Sequence, residues 1–278
     1  MKVRNLSFTT MATPEWSARK AIEHASLYGY KGIDLRMSDF KGEIKPGSSV
    51  SGLQEIRNIL NNESIILAGL LCYNKTGNEN KFSWKDMEDS VLYSLETACK
   101  LGARSIRIFA GNPHGKIPFD EYTKYAAETI LLAIERLGES MKIVIQNHDG
   151  SYNALELVKL VKLIGNKRIE IAFSPDHSFM AGEQMAQVYS EVKPYLGQLY
   201  ISDVIPLEGN VKKFQPVLPG RGRVPLKEAY EMTTGDGFDG FISFKWEKLW
   251  HDDIEEPETA LPCFIKYWEN ITGIRPLA

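Results

Sequence analysis

Four short apolar runs in the second half of the chain each stop abruptly at side chains able to do chemistry. Ile143-Val144-Ile145 runs into Gln146-Asn147-His148-Asp149, and Ile169-Glu170-Ile171-Ala172-Phe173 runs into Ser174-Pro175-Asp176-His177. Leu199-Tyr200-Ile201 runs into Ser202-Asp203, and Phe241-Ile242-Ser243-Phe244 into Lys245-Trp246-Glu247-Lys248. Short β-rich runs separated by helical segments read as buried parallel strands. Polar residues just past the C-terminal ends of such strands are where α/β barrels keep their active sites.

The same alternation covers the whole chain and predicts eight strand–helix units. Strands are expected at residues 3–9, 32–36, 65–71, 105–109, 143–146, 169–174, 199–202 and 241–245. Helices are expected at 16–28, 51–61, 84–101, 119–137, 154–164, 225–234 and 257–268. A long loop containing Gly209, Pro216, Pro219, Gly220 and Gly222 follows the seventh strand. Strict alternation implies a parallel sheet, and eight units imply closure into a single-domain (β/α)8 TIM barrel over residues 1–278. An open doubly wound sheet is the alternative. It is weakened because Thr9-Thr10-Met11-Ala12-Thr13 stands where a GxGxxG turn would be.

Composition narrows the partners. The chain has 278 residues, 43% of them hydrophobic, enough for a full core. A formal net charge of −3 lacks the basic excess of a nucleic-acid footprint, and no apolar run approaches the roughly 20 residues of a membrane span. Cys72, Cys99 and Cys263 are scattered without CxxC spacing, which fits a reducing cytosol and a cytoplasmic location. The N-terminal residues enter a strand-like run with no signal-peptide core.

Of the five histidines, His114, His148, His177 and His251 fall in the expected strand-to-helix loops, and His24 falls on a helix. Arg107 lies inside the barrel or at its rim, where it either holds a substrate oxygen or pairs with Asp34 or another carboxylate. Trp246, Trp250 and Phe109 offer an apolar wall for a sugar face, or simply pack.

Three stretches then carry a resemblance. Gly32-Ile33-Asp34-Leu35-Arg36, Pro219-Gly220-Arg221-Gly222-Arg223-Val224-Pro225 and the segment from Gly237 to His251 resemble the sugar phosphate isomerase/epimerase group. These are xylose-isomerase-like TIM barrels related to inosose dehydratases, ketose 3-epimerases and, more distantly, endonuclease IV. The resemblance implies a carbohydrate substrate and one divalent metal held by Glu, Asp, His and Glu at the ends of the last four strands. That metal bridges vicinal sugar oxygens and stabilises an enediolate while carboxylates shuttle the proton. Aligned on these patterns, the four ligand positions are occupied here by Gln146, Ser174, Tyr200 and Lys245. Neutral oxygen donors, a phenol and an ammonium make a poor divalent site, so no metal cofactor is expected at those positions.

Three readings follow. In the first, a metal-free isomerase or epimerase uses Lys245 in place of the cation, as an electrostatic stabiliser or a Schiff-base former. His177 or Glu247 then shuttles the proton and Tyr200 donates a hydrogen bond. Gln146, His148, Ser174, Asp176, Arg107 and Trp246 are the candidate substrate-binding residues. In the second, the chain binds a sugar or sugar acid without catalysis. In the third, a metal sits on relocated ligands, namely Asp176, His148, His177 and Glu247. A plain pairing of Lys245 with Glu247, Asp176 or Glu183, plugging the mouth, stands beside all three.

Overall fold

The computed structural model describes residues 5–75, 84–136, 141–207, 210–234 and 238–273. Chain order gives β1 (Asn5–Phe8), α1 (Ala18–Leu27), β2 (Gly32–Met37), α2 (Val50–Asn62), β3 (Ile66–Lys75), α3 (Trp84–Leu101), β4 (Ser105–Phe109) and α4 (Phe119–Glu135). Next come β5 (Lys142–Gln146), α5 (Ala154–Ile164), β6 (Ile169–Phe173), α6 (Pro175–Met180), α7 (Met185–Val192) and β7 (Leu196–Ile201). A two-stranded hairpin, β8 (Asp203–Leu207) and β9 (Asn210–Val217), precedes α8 (Leu226–Thr233), β10 (Phe241–Phe244) and α9 (Pro257–Thr272).

Eight parallel strands form the barrel in the order β1-β10-β7-β6-β5-β4-β3-β2. The ring closes between β1 and β2 through a parallel bridge from Thr9 to Asp34 and a hydrogen bond from Lys31 N to Leu6 O of 2.9 Å. The fold is therefore the TIM barrel. Among the described residues no helix is long and apolar enough to cross a membrane.

Local chemistry explains the elements. In α5 the Asn153 side chain accepts from Glu156 N at 2.9 Å, while Asn153 N donates to the Glu156 carboxylate at 3.0 Å. This reciprocal cap satisfies two otherwise orphaned donors. Leu157, Val158, Leu160, Val161 and Ile164 then bury one face, each contributing roughly 1.5–3 kcal/mol. Gly165 ends the helix at φ 62°, a left-handed turn open to glycine at little cost.

The barrel interior is filled in layers. Towards the N-terminal ends of the strands, Asp34 accepts from Ser7 and Ser243 Oγ at 2.8 Å each and from Gln198 Nε2 at 2.7 Å. Ser7 and Ser243 also bond to each other. Gly69 is required beside this group, because a Cβ there would lie 2.8 Å from Asp34 Oδ1. Desolvation pushes the Asp34 carboxyl up to about 6, against the opposing pull of those hydrogen bonds. A separate buried cluster is formed by Leu71, Val144, Ala172 and Tyr200.

Several expectations change. The loop after the seventh strand is largely the β8–β9 hairpin, and residues 208 and 209, including Gly209, lie outside the described set. Its strands were hidden by Pro206 and Pro216, which sit in a two-stranded ribbon where one edge of each strand is free. The polar segment after β6 is not a loop but the start of α6, with Pro175 at its first turn. The seventh strand begins at Leu196, and α9 runs on to Thr272 despite Pro262. Residues 3 and 4 of the expected first strand and 137 of the expected fourth helix lie outside the described residues.

Candidate functional site

The hairpin gets its position from Asp203. One carboxylate oxygen accepts from Gly220 N and Gly222 N at 2.9 Å each, and the other from Val204 N at 3.0 Å and Val224 N at 3.1 Å. The Pro219–Pro225 motif is thus a nest of backbone donors wrapped around one anion. Held this way, β8 and β9 overhang the C-terminal ends of the barrel strands and help wall a cavity of about 1240 Å³. The hairpin supplies Val204, Leu207, Lys213, Phe214, Gln215 and Pro216 to that wall.

Four charged or titratable side chains converge at the end of β10. Lys245 is almost fully buried, and its Nζ donates to Asp176 Oδ2 at 2.7 Å. It also lies 3.2 Å from Glu247 Oε1 and 3.0 Å from His177 Nε2. An ammonium has three hydrogens, and here it meets three acceptors. Desolvation pushes the Lys245 pKa down, but the Asp176 and Glu247 carboxyl groups together push it further up, so the amine stays charged. Desolvation likewise raises Glu247, but the Lys245 charge and hydrogen bond, together with His177, outweigh it and leave the carboxyl below its ordinary range.

His177 is decided by the same contact. Burial first, then the Lys245 charge, hold its pKa well below the ordinary histidine value, so the ring is neutral near pH 7. A neutral ring that accepts from an ammonium at Nε2 must carry its hydrogen on Nδ1; the tautomer is assigned from this hydrogen-bond pattern. Nδ1 is buried and lies 3.7 Å from Asp149 Oδ1, with no hydrogen-bond partner among the described residues, and Asp176 Oδ1 is likewise unpartnered there. His148 packs beside it with its ring tilted by 44°, centroids 4.1 Å apart, and its Nδ1 lies 2.7 Å from Asp149 Oδ1. That contact, above all, keeps the Asp149 carboxyl well below its usual range.

Gln146, His148, Asp176, His177, Lys245, Glu247 and Arg107 all line the cavity. Other expected residues do not. Ser174 is fully buried, accepting from Gln146 Nε2 at 2.9 Å while its backbone N–H donates to Asn147 Oδ1 at 2.7 Å. Trp246 is buried away from the cavity wall, its indole N–H donating to Glu255 O at 2.9 Å and its ring stacked with Phe244. It points outward because successive residues of an extended segment alternate faces, and Lys245 takes the inner one. Tyr200 lies within the barrel interior as a neutral phenol, its pKa raised well above 10.0 by desolvation. Phe109 and Trp250 do form cavity wall, with His251. His114 pairs instead with Glu156 at 3.2 Å, outside the cavity lining. Arg36 is neutralised by Glu43 at 2.8 Å. Lys245 does not pair with Glu183, which accepts from Ala154 N and Leu155 N at the start of α5.

Sequence reasoning passed over Tyr73, Asp149 and the hairpin residues Lys213 and Phe214, all of which line the cavity. Asp149 was within the polar tail of the fifth strand and had a signal. Tyr73 follows an apolar run and had none.

The chemistry of these side chains decides whether a divalent ion suits them. Gln146, Ser174, Tyr200 and Lys245 do not fit one: no anionic donor is among them, and the Lys245 ammonium would face the ion directly. His148, Asp149 and His177 bring one candidate donor atom each within 4.8 Å of one another. For that trio to hold an ion through His177 Nδ1, this nitrogen would have to give up its hydrogen, and Nε2 would then no longer accept from Lys245.

The closed parallel barrel gathers carboxylates, imidazoles and a buried ammonium at its C-terminal mouth, where α/β barrels keep their functional sites. Residues 22–264 match the family described as xylose isomerase-like TIM barrel, and the chain belongs to that family. No curated protein matches the chain. The fold is shared with the IolI protein, whose crystal structure carries a zinc atom; identity is 16%, coverage 97% of this chain and 98% of that one, and the TM-score 0.79. D-psicose 3-epimerase from Clostridium cellulolyticum H10, solved with D-tagatose, is 14% identical, with 96% and 99% coverage and a TM-score of 0.74. The probable 3-DHS dehydratase AsbF from Bacillus anthracis is also 14% identical, with 96% and 99% coverage and a TM-score of 0.73.

Proposed function

We propose that this chain is an isomerase or epimerase of sugars or sugar derivatives that moves a proton next to a carbonyl without a metal ion. The observation that carries the reading is the Lys245–Asp176–Glu247–His177 cluster. It sets a carboxylate and a neutral imidazole side by side at one cavity wall. Glu247 is the proton acceptor: it removes the hydrogen from the carbon beside the substrate carbonyl, and the C–H electron pair forms the C=C bond of an enediolate. The carbonyl π electrons move to oxygen, where the His177 Nδ1–H is the hydrogen-bond donor that stabilises the charge. Return of the proton from Glu247 to the neighbouring carbon, with the enediol hydroxyl proton passing to the charged oxygen, gives the isomer; epimerisation takes its proton from water on the opposite face, after which Glu247 releases the abstracted proton to solvent. Lys245 acts through its neighbours, keeping Glu247 ionised and fixing the His177 tautomer. Gln146, His148 and Asp176 are placed to bind substrate hydroxyls.

The test is deuterium incorporation. EDTA-treated protein is incubated in D2O with ketoses, aldoses, their phosphates and sugar acids, and C–H exchange is followed by NMR. Exchange without metal is expected, reduced roughly 100- to 10,000-fold in Glu247→Gln, the range for general acid–base groups. Zn²⁺ or Mn²⁺ is expected to leave both exchange and the thermal midpoint unchanged. Exchange that appears only with added metal, together with a raised midpoint, would move the reading to a metal enzyme on the His148–Asp149–His177 trio. Binding without any exchange would leave a non-catalytic binder.

A further inference from the structure

Arg107 is a buried cation whose charge acts on Asp34 from a distance, with no carboxylate among the described residues in contact with it. Its side chain is 1% exposed, and among the described residues no carboxylate oxygen lies within 4 Å of it. The nearby acid is Asp34, whose oxygens take hydrogen bonds from Ser7, Ser243 and Gln198 and none from Arg107. The guanidinium lies against two aromatic rings, 4.3 Å from the Phe109 centroid and 5.1 Å from that of Tyr73. One weak bond runs from Nη1 to Cys72 O at 3.4 Å, while Nε has no partner. Contact with rings occupies the face of a guanidinium and leaves its N–H edge for an in-plane acceptor. Tyr73 OH is also buried without a partner, and Tyr73 and Arg107 both line the cavity. Deeper in the barrel, the Tyr200 hydroxyl also faces Arg107, whose hydrogen bond and charge oppose part of the desolvation of the phenol.

A buried charge with open donors is costly unless something satisfies it. The other buried cations have a carboxylate in contact: Arg36 has Glu43, although its Nε and Nη1 lack partners, and Lys245 has Asp176 and Glu247. We propose that Arg107 and Tyr73 form a carboxylate-binding subsite, so that the substrate class is sugar acids rather than neutral sugars. The inference rests on the isomerase reading for the other end of the substrate, at Lys245 and Glu247. One guanidinium with neutral phenols balances one negative charge, which matches a carboxylate. A phosphate dianion would ask for a second cation beside Arg107.

The test is calorimetric titration of matched ligands: D-glucuronate and D-galacturonate, the neutral sugars D-glucose and D-galactose, and glucose 6-phosphate. A uronate is expected to bind about 10- to 100-fold more tightly than its neutral partner, the range of a charge-assisted hydrogen bond. Arg107→Gln should erase that preference, while Arg107→Lys should keep part of it. Wild-type protein gives a second readout independent of any variant's folding: the ¹⁵N-labelled Arg107 Nε–H resonance should shift with uronate and not with glucose. No uronate preference, a preference that survives Arg107→Gln, tighter binding of the phosphate, or an unmoved Nε–H signal would each overturn the subsite. Its failure is separable from that of the isomerase reading. Uronate bound through Arg107 without C–H exchange keeps the subsite and removes the catalysis. Exchange of neutral ketoses with no preference for acids does the reverse.

Discussion

Replacing Lys245 with Met keeps the length of the side chain and removes its charge. The ammonium is the shared cation of Asp176 Oδ2 at 2.7 Å and Glu247 Oε1 at 3.2 Å, and the hydrogen-bond donor to His177 Nε2. Breaking a buried pair from one side costs about 3–5 kcal/mol, because the partner charge stays behind. The Glu247 side chain keeps 23% of its exposure, so water relieves part of that cost. A loss of about 3 kcal/mol at pH 8 is therefore expected, a large share of a typical stability of about 5–15 kcal/mol. The pH dependence follows from the sign of the shift. The Glu247 carboxyl is held below its unfolded value, so its contribution is present above that value and lost as pH falls through the folded one. Removing Lys245 removes that contribution, so the gap between wild type and variant should narrow towards pH 4. Urea unfolding at pH 8, 6 and 4 measures it. The triple variant Lys245→Met, Asp176→Asn, Glu247→Gln, with no charge left behind, should recover most of the loss. A loss below about 1 kcal/mol at pH 8, or one that is flat with pH, would refute the view that this cluster is a mutually dependent buried ion network.

Two further expectations concern the scaffold. Asp34 is pushed up to about 6 from 3.8 on folding, so the folded chain binds its proton more tightly and stability falls as pH rises between those values. At about 1.4 kcal/mol per pH unit this is about 3 kcal/mol; thermal midpoints from pH 4 to 7 should show the fall, and Asp34→Asn should flatten it. In the hairpin support, Asp203→Asn turns an amide N–H₂ towards backbone donors, for a loss of roughly 2–4 kcal/mol. Gly222→Ala should be at least as damaging, since its Cβ would fall 2.0 Å from Asp203 Oδ1; urea denaturation and proteolysis within residues 203–224 report both, and an unchanged midpoint for either would contradict the nest.

The eight-fold alternation of strand and helix was legible in the sequence because period and punctuation are local properties. Buried parallel strands are short continuous apolar runs, and each strand end was marked by a switch to polar side chains. The same switch named Gln146, His148, Asp176, His177, Lys245 and Glu247, all of which reach one cavity. The hairpin was not legible, since its strands are stabilised by each other and by the Asp203 nest rather than by an apolar pattern of their own. Which face a residue takes was also hidden. Trp246 sits between Lys245 and Glu247 in sequence, yet it packs outward against Phe244 while its neighbours turn in. Most of all, the charge state of the site is a tertiary property. Sequence alone identified a lysine in place of a carboxylate. Only the closed barrel brings Asp176, Glu247 and His177 within 3.2 Å of its nitrogen, fixing one tautomer, and leaves Arg107 buried with no carboxylate oxygen of the described residues within 4 Å. Those energies depend on distance and desolvation, and neither exists until strands far apart in the chain lie side by side.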